Sequence, residues 1–275
     1  MGEITSDRLL SFTLYASIYS TENQSKAVSG TLRSLYISAT GMLSQRKVMD
    51  VLTNNLANIE TTGFKRDELK TKSFSDVLIA RINDPTGDSP GIGPLNWGIH
   101  PDEVVTKFTQ GPLENSGKAT DIALSGDGFF VVETPQGLRF TRSGNFQVDS
   151  NGYLCTQEGY YVRTATGRVN AGSADIIVDG QGNVTGANGT FKLQIVQFAD
   201  NAALRKAGSN LYSGPAAAQN STALVMQGFL EGSNVDMAEE LTNVIAASRN
   251  YQSNVQMISI LNGTLEKTVN EVGRV

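Results

Sequence analysis

Histidine and cysteine each occur once in 275 residues, as His100 and Cys155. One cysteine excludes an intramolecular disulfide framework and any multi-cysteine metal site. One histidine leaves a metal centre or a nucleophile–base pair with only carboxylates, or Cys155 itself, as partners. His100 precedes Pro101, which favours extended backbone, and no ligand spacing surrounds it. Cys155 follows Leu154 in a strand-like run, where a buried, inert thiol is the common state. No basic run exceeds two residues and the net charge is −5, so the clustered positive footprint of a nucleic-acid binder is missing. No apolar run approaches the roughly 18 residues of a membrane-spanning helix. The apolar stretch 9–20 follows Glu3 and Asp7 against a single Arg8, not the positive region that opens a secretory signal. Residues 1–31, with the polar run 20–26, therefore read as a flexible N-terminal extension.

Motifs for chemistry are equally scarce. From Asp149, a calcium loop would need an oxygen ligand at its fifth position and glycine at its sixth, where the chain has Tyr153 and Leu154. Gly126-Asp127-Gly128 lacks the third glycine and following helix of a dinucleotide fingerprint, and no Gly-Lys-Ser/Thr phosphate loop occurs. Asp102, Glu103, Asp121 and Asp127 are the candidates for a glycan-cleaving carboxylate pair, but their spacing matches a solvated surface. No catalytic, cofactor-binding or metal-binding residue is assigned, and no enzyme activity or cofactor is expected.

Proline is low at seven residues and glycine high at 28, a balance that suits short strands joined by tight turns. Strand-like runs at 128–134, 138–142, 145–149, 153–156, 160–164, 175–179, 183–186 and 191–198 alternate with turn signals. Asn151-Gly152 and Asn188-Gly189 are candidates for two-residue hairpin loops. Three of the seven prolines fall within 81–99, which reads as loop or linker.

The flanks have a different period. Leu35, Met42, Met49 and Leu56 recur every seven residues, with Leu52 and Ile59 between them. This pattern predicts an amphipathic helix over 33–58, stopped by Thr61-Thr62-Gly63. Met237, Val244, Tyr251, Ile258, Leu265 and Val272 form a second seven-residue series, and Leu241, Val255 and Val269 follow members of it by four residues. Five heptads of this kind predict a coiled-coil helix, with Asp236 and Glu239 set as a capping box. A narrow apolar seam between polar flanks buries well only against partner helices.

The expected fold class is α+β: a mostly β body, sandwich- or barrel-like with many short strands, flanked by N- and C-terminal coiled-coil-forming helices. The boundaries are an extension at 1–31, an N-terminal helix at 32–62, a linker or extended region at 63–103, the β body at 104–232 and a C-terminal helix at 233–275.

Several stretches together carry a resemblance: SLYISATGM (34–42), NNLANIETTGFKR (54–66), DIALSGDGFFVV (121–132), GNFQVDSNGYLCTQEGYYV (144–162) and the run 227–254. The chain resembles the bacterial flagellar rod and hook axial proteins, in their distal-rod form or its close relatives, over residues 32–275. The resemblance implies a structural subunit of the basal-body rod that polymerises helically through its terminal helices and transmits motor torque to hook and filament. It implies export through the flagellar type III apparatus without a cleaved signal, an extracytoplasmic location, and partners among other rod and hook proteins. No nucleic-acid partner and no membrane insertion are expected. Inter-subunit packing would fall to the two seams, and Asn54, Asn55, Asn58, Thr62, Gly63 and Phe64 would form the signature at the end of the first helix. There the amides would pack between subunits, Gly63 would turn the chain outward and Phe64 would anchor the exit strand. Relatives usually begin near Thr31. The alternatives are a hook or proximal-rod member of the same family, or a discrete β-domain binding module with helical appendages.

Overall fold

A computed structural model describes residues 6–74, 77–80, 91–165, 167–214 and 219–272; for 6–29, 77–80 and 91–95 only the backbone element is described. The chain divides into two compact units. One comprises Met1–Asp50, Leu69–Glu103 and Val244–Val275, the other Val51–Glu68 and Val104–Asn243.

Two long helices, α1 (Ser6–Ala57) and α2 (Met237–Val272), bracket a succession of short strands. The second helix begins where its cap residue dictates: the Asp236 carboxylate accepts from the backbone N–H of Ala238 at 2.8 Å and of Glu239 at 3.1 Å. The expected box is only half made, because the Glu239 side chain turns to Arg66 instead. The first helix corrects the sequence reading. It continues through 6–31, where a flexible extension was expected. Heptad periodicity fades there, but residues 6–32 hold no proline and one glycine, and adding a turn to an existing helix costs far less than nucleating one.

In the second unit a nine-stranded antiparallel sheet forms the body. Its centre is the hairpin of Phe129–Thr134 with Gly137–Thr141. One side extends through Leu211–Ser213 to Arg205–Gly208; the other runs through Tyr161–Val162 and Leu154–Cys155 to Gln147–Val148. The sheet is open at both ends, so the body is no closed barrel. Ile177–Val178, Asn183–Gly186 and Gly189–Lys192 make a separate three-stranded meander.

The run 129–132 is apolar at every position because the sheet is covered on both faces. Phe130 and Val132 point into the larger core with Ile122, Leu124, Leu154 and Val162. Phe129 and Val131 point the other way, packing with Phe140, Phe198 and Tyr212. Gly144 lies against the carbonyl of Ile122 so closely that a Cβ there would sit 1.6 Å from the oxygen.

Three local readings change. The run 191–198 splits between two sheets, since Gly189–Lys192 belongs to the meander and Ile195–Gln197 pairs with the central hairpin. The stretch 81–99 is not all loop: Gly91–Leu95 pairs antiparallel with Val77–Ala80, Pro94 being tolerable in so short a ladder; 81–90 lie outside the described residues. Neither Asn-Gly pair forms a two-residue loop. Asp149 pairs with Tyr153 across the three residues 150–152, and the two-residue loop of the meander is Ala187-Asn188, one residue earlier.

Candidate functional site

The chemistry candidates are scattered. His100 is half-buried with its ring 4.8 Å from that of Phe74. Cys155 is buried, and burial pushes its thiol above the ordinary range. Asp102 and Asp127 are exposed, Glu103 pairs loosely with Lys70 at 3.9 Å, and Asp121 is buried beside Asn145 in an isolated bridge. Among the described residues no three His, Cys, Asp or Glu side chains gather as a metal set.

The dense polar geometry lies elsewhere, around the exit of α1. Asn55 is fully buried and faces the backbone of Asp67 with both ends of its amide: Nδ2 donates to the carbonyl at 2.9 Å, and Oδ1 accepts from the N–H at 3.0 Å. This pairing corrects the expectation that all the signature amides face other subunits; the Asn55 amide is committed within its own chain. Asn58 closes the last turn, donating to the Asn54 carbonyl at 2.8 Å and accepting from the Thr61 hydroxyl. The Thr62 carbonyl accepts from Asn210. Gly63 then adopts φ 68°, and its N–H donates to the Glu231 carbonyl at 2.7 Å. A Cβ at Gly63 would meet the Ser143 nitrogen at 2.5 Å, so both the left-handed backbone and the close approach demand glycine. Phe64 is buried, with the Lys206 ammonium 4.1 Å above its ring.

The next residue carries the strongest interaction. Lys65 and Glu231, both with fully buried side chains, form an ion pair, and Arg142 binds the other Glu231 oxygen at 3.1 Å. Glu231 also accepts from the Gly111 N–H at 3.0 Å, while Lys65 donates to the Thr109 carbonyl at 2.7 Å. Burial pulls the Lys65 ammonium below the ordinary lysine range, opposed by Glu231. Asn234 continues the join: its Oδ1 accepts from the Arg66 N–H at 2.7 Å, and its Nδ2 reaches the carbonyls of Lys107 and Thr109. Arg66 in turn meets Glu239 at 2.8 Å and the buried Glu240 at 3.5 Å. Burial raises the Glu240 carboxyl, with Asn55 and Arg66 acting against it. The result is a clasp that ties the segment after α1 to the segment before α2. Sequence reasoning passed over Lys65, Arg142 and Glu231. The available signal was an acid, Glu231, closing the otherwise apolar run Gly-Phe-Leu.

The seam residues divide. Leu35, Met42, Met49, Leu52 and Leu56 on α1, and Ile59 just after it, are all half-buried. On α2, Val244, Tyr251, Ile258 and Leu265 are half-buried, while Met237 is exposed and the Val272 side chain lies outside the described residues. The positions alternating with them separate by exposure. Ala247, Asn254, Leu261 and Thr268, three residues on from the main series, are the covered ones, and Gly41 of α1 lies against the Asn254 amide. Leu241, Val255 and Val269, four residues on, are 43%, 42% and 68% exposed. A helix face four residues on lies across the seam from one three residues on, so these three, with Ile245 beside Leu241, form an outward apolar surface.

Three family models match in chain order: "Flagella basal body rod protein" over 35–65, "Flagellar hook protein FlgE/F/G D1 domain" over 123–186, and "Flagellar basal body rod FlgEFG protein C-terminal" over 226–271. The flagellar basal-body rod protein FlgG of Bacillus subtilis (strain 168) is 35% identical over 263 residues, covering 87% of this chain and 98% of its own length. FlgG of Buchnera aphidicola subsp. Acyrthosiphon pisum is 33% identical over 259 residues, covering 85% and 97%. The flagellar hook-basal body complex protein FlhO of B. subtilis is 30% identical over 270 residues, covering 89% and 100%.

Proposed function

The chain belongs to the flagellar basal-body rod protein family, and from that premise we propose how it builds the rod. It is a structural subunit of the bacterial basal body, and its relatives are structural proteins rather than enzymes. In our reading, copies stack helically through the terminal helices and also meet other rod and hook proteins, and the finished shaft carries torque from motor to hook. The subunit reaches the growing rod through the flagellar type III export apparatus, without a cleaved signal, and works outside the cytoplasm.

The observation that carries this reading is the outward apolar surface of α2. Large apolar groups at Leu241, Ile245, Val255 and Val269 are exposed on a helix whose other side is already covered. Full burial of such a side chain from full exposure is worth about 1.5–3 kcal/mol, and roughly half of that remains to be gained by each, so a neighbouring helix would be held by several of them together. The clasp gives the complementary property, a fixed join between the body and both helix ends, as a shaft under load requires.

The test is Leu241→Asp with Val255→Asp and Val269→Asp. The triple variant is expected to keep the monomer's thermal unfolding midpoint and to lose polymerisation as seen by electron microscopy. Polymers indistinguishable from wild type would defeat the reading.

A further inference from the structure

One acid of the clasp is buried without the partners that the others have. Glu240, in the first turn of α2, is 1% exposed. Its Oε1 lies 3.5 Å from the Arg66 guanidinium, and its Oε2 has no hydrogen-bond partner among the described residues. Arg66 is directed mainly elsewhere, to the half-exposed Glu239 at 2.8 Å. Two carboxylates thus share one cation, and the buried one has the longer contact. Glu231 makes the contrast: equally buried, it has Lys65 and the Gly111 N–H on one oxygen and Arg142 on the other. Few groups face Glu240. They are the neutral Asn55 from α1, Arg66 from the segment after α1, and Glu239 from its own turn; Glu68 acts in addition on the Arg66 guanidinium.

We propose that Glu240 is a proton-operated latch: with the proton bound, the first turn of α2 seats firmly against the end of α1, and loss of the proton loosens that turn. A carboxylate oxygen buried without a donor carries the desolvation cost of its charge, which the neutral acid largely escapes. The positive end of a helix dipole works the other way and favours the charged form in the first turn. The two effects leave both states within reach. Burial sets the balance, raising the carboxyl above its ordinary range against the pull of Asn55 and Arg66. A raised folded-state value means the stabilisation is full below the unfolded value near 4.3 and is lost as pH rises through the folded one. Glu240, Asn55, Arg66 and Glu239 all lie in the second unit, so the latch works within a single copy and does not depend on how copies assemble.

The test is hydrogen exchange on the full-chain monomer between pH 4.5 and pH 8. Each rate is corrected for its intrinsic pH dependence and referred to the amides of 129–132, which are buried throughout. Protection of amides 241–243 is expected to fall at least fivefold as pH rises across that range. Glu240→Gln keeps the shape of the neutral acid, and its protection should stay constant. Glu239→Gln leaves Arg66 to Glu240 alone and removes a like charge, so its fall should begin at lower pH than in wild type. Flat protection in the wild-type chain overturns the latch, and so does the same fall in Glu240→Gln. If Glu240→Gln does not fold, Glu239→Gln decides: a fall at unchanged pH would place the titrating group elsewhere and overturn the proposal.

Discussion

At the scale of single residues, the strictest demands come from backbone geometry and from the acids that cap turns. Gly63→Ala would put a methyl against the Ser143 nitrogen and force alanine to φ 68°; a loss of at least ~1–3 kcal/mol is expected in chemical denaturation. Asp149 and Asp179 each hold a three-residue loop by the same pattern. Asp149 accepts from the N–H groups of Asn151 and Tyr153, and Asp179 from those of Gln181 and Asn183, and Gly152 and Gly182 take φ 83° and 82°. The Asp149 carboxyl is held below the usual range chiefly by the Tyr153 N–H, and that of Asp179 by the Asn183 side chain and N–H. A depressed folded-state value means the stabilisation is full above the unfolded value near pH 4 and drains away as pH falls through and below it. The double variant Asp149→Asn with Asp179→Asn should therefore be less stable than wild type at pH 7. The gap should narrow steadily below pH 4 in urea titrations; a gap independent of pH would contradict the assignment.

At the scale of elements, the body was largely legible because alternating apolar runs and glycine turns are local signals. The strands Phe129–Thr134, Gly137–Thr141 and Asn183–Gly186 fall where the pattern puts them. What escaped was non-local. The exposed strand Arg205–Gly208 carries no apolar alternation, and only its pairing with Leu211–Ser213 makes it a strand. Which positions of α2 are covered within one copy escaped for a related reason. Leu241, Val255 and Val269 are larger and more apolar than Ala247, Asn254 and Thr268, so hydrophobicity alone selects the outer face. The inner face carries Leu261 as well, and at Asn254 it meets Gly41 of α1. The clasp was invisible for the same cause: Lys65 and Glu231 are 166 residues apart, and each alone looks like an ordinary surface charge. Glu231→Gln would leave Lys65 and Arg142 buried with no carboxylate. Losing one member of a buried ionic set costs about 3–5 kcal/mol, and that loss should appear as a fall in the unfolding midpoint of the monomer.

At the scale of the whole molecule, composition and order of segments carried the functional reading further than any site did. In a chain with a strand-rich middle between two long helices, related to structural rod proteins, the dense polar geometry described lies in structural joins. The joins are of two kinds. The buried clasp pairs its main charges within one copy, whereas the apolar face of α2 has groups still to be covered.

That contrast is tested most directly by hydrogen exchange on the full chain as monomer and as assembled polymer. The account predicts that amides of 244–268 exchange at least tenfold more slowly in the polymer, while those of 129–132, already covered on both faces, keep their monomer rates. Equal exchange of α2 in the two states would mean that its outward face meets nothing on assembly, and would contradict the account.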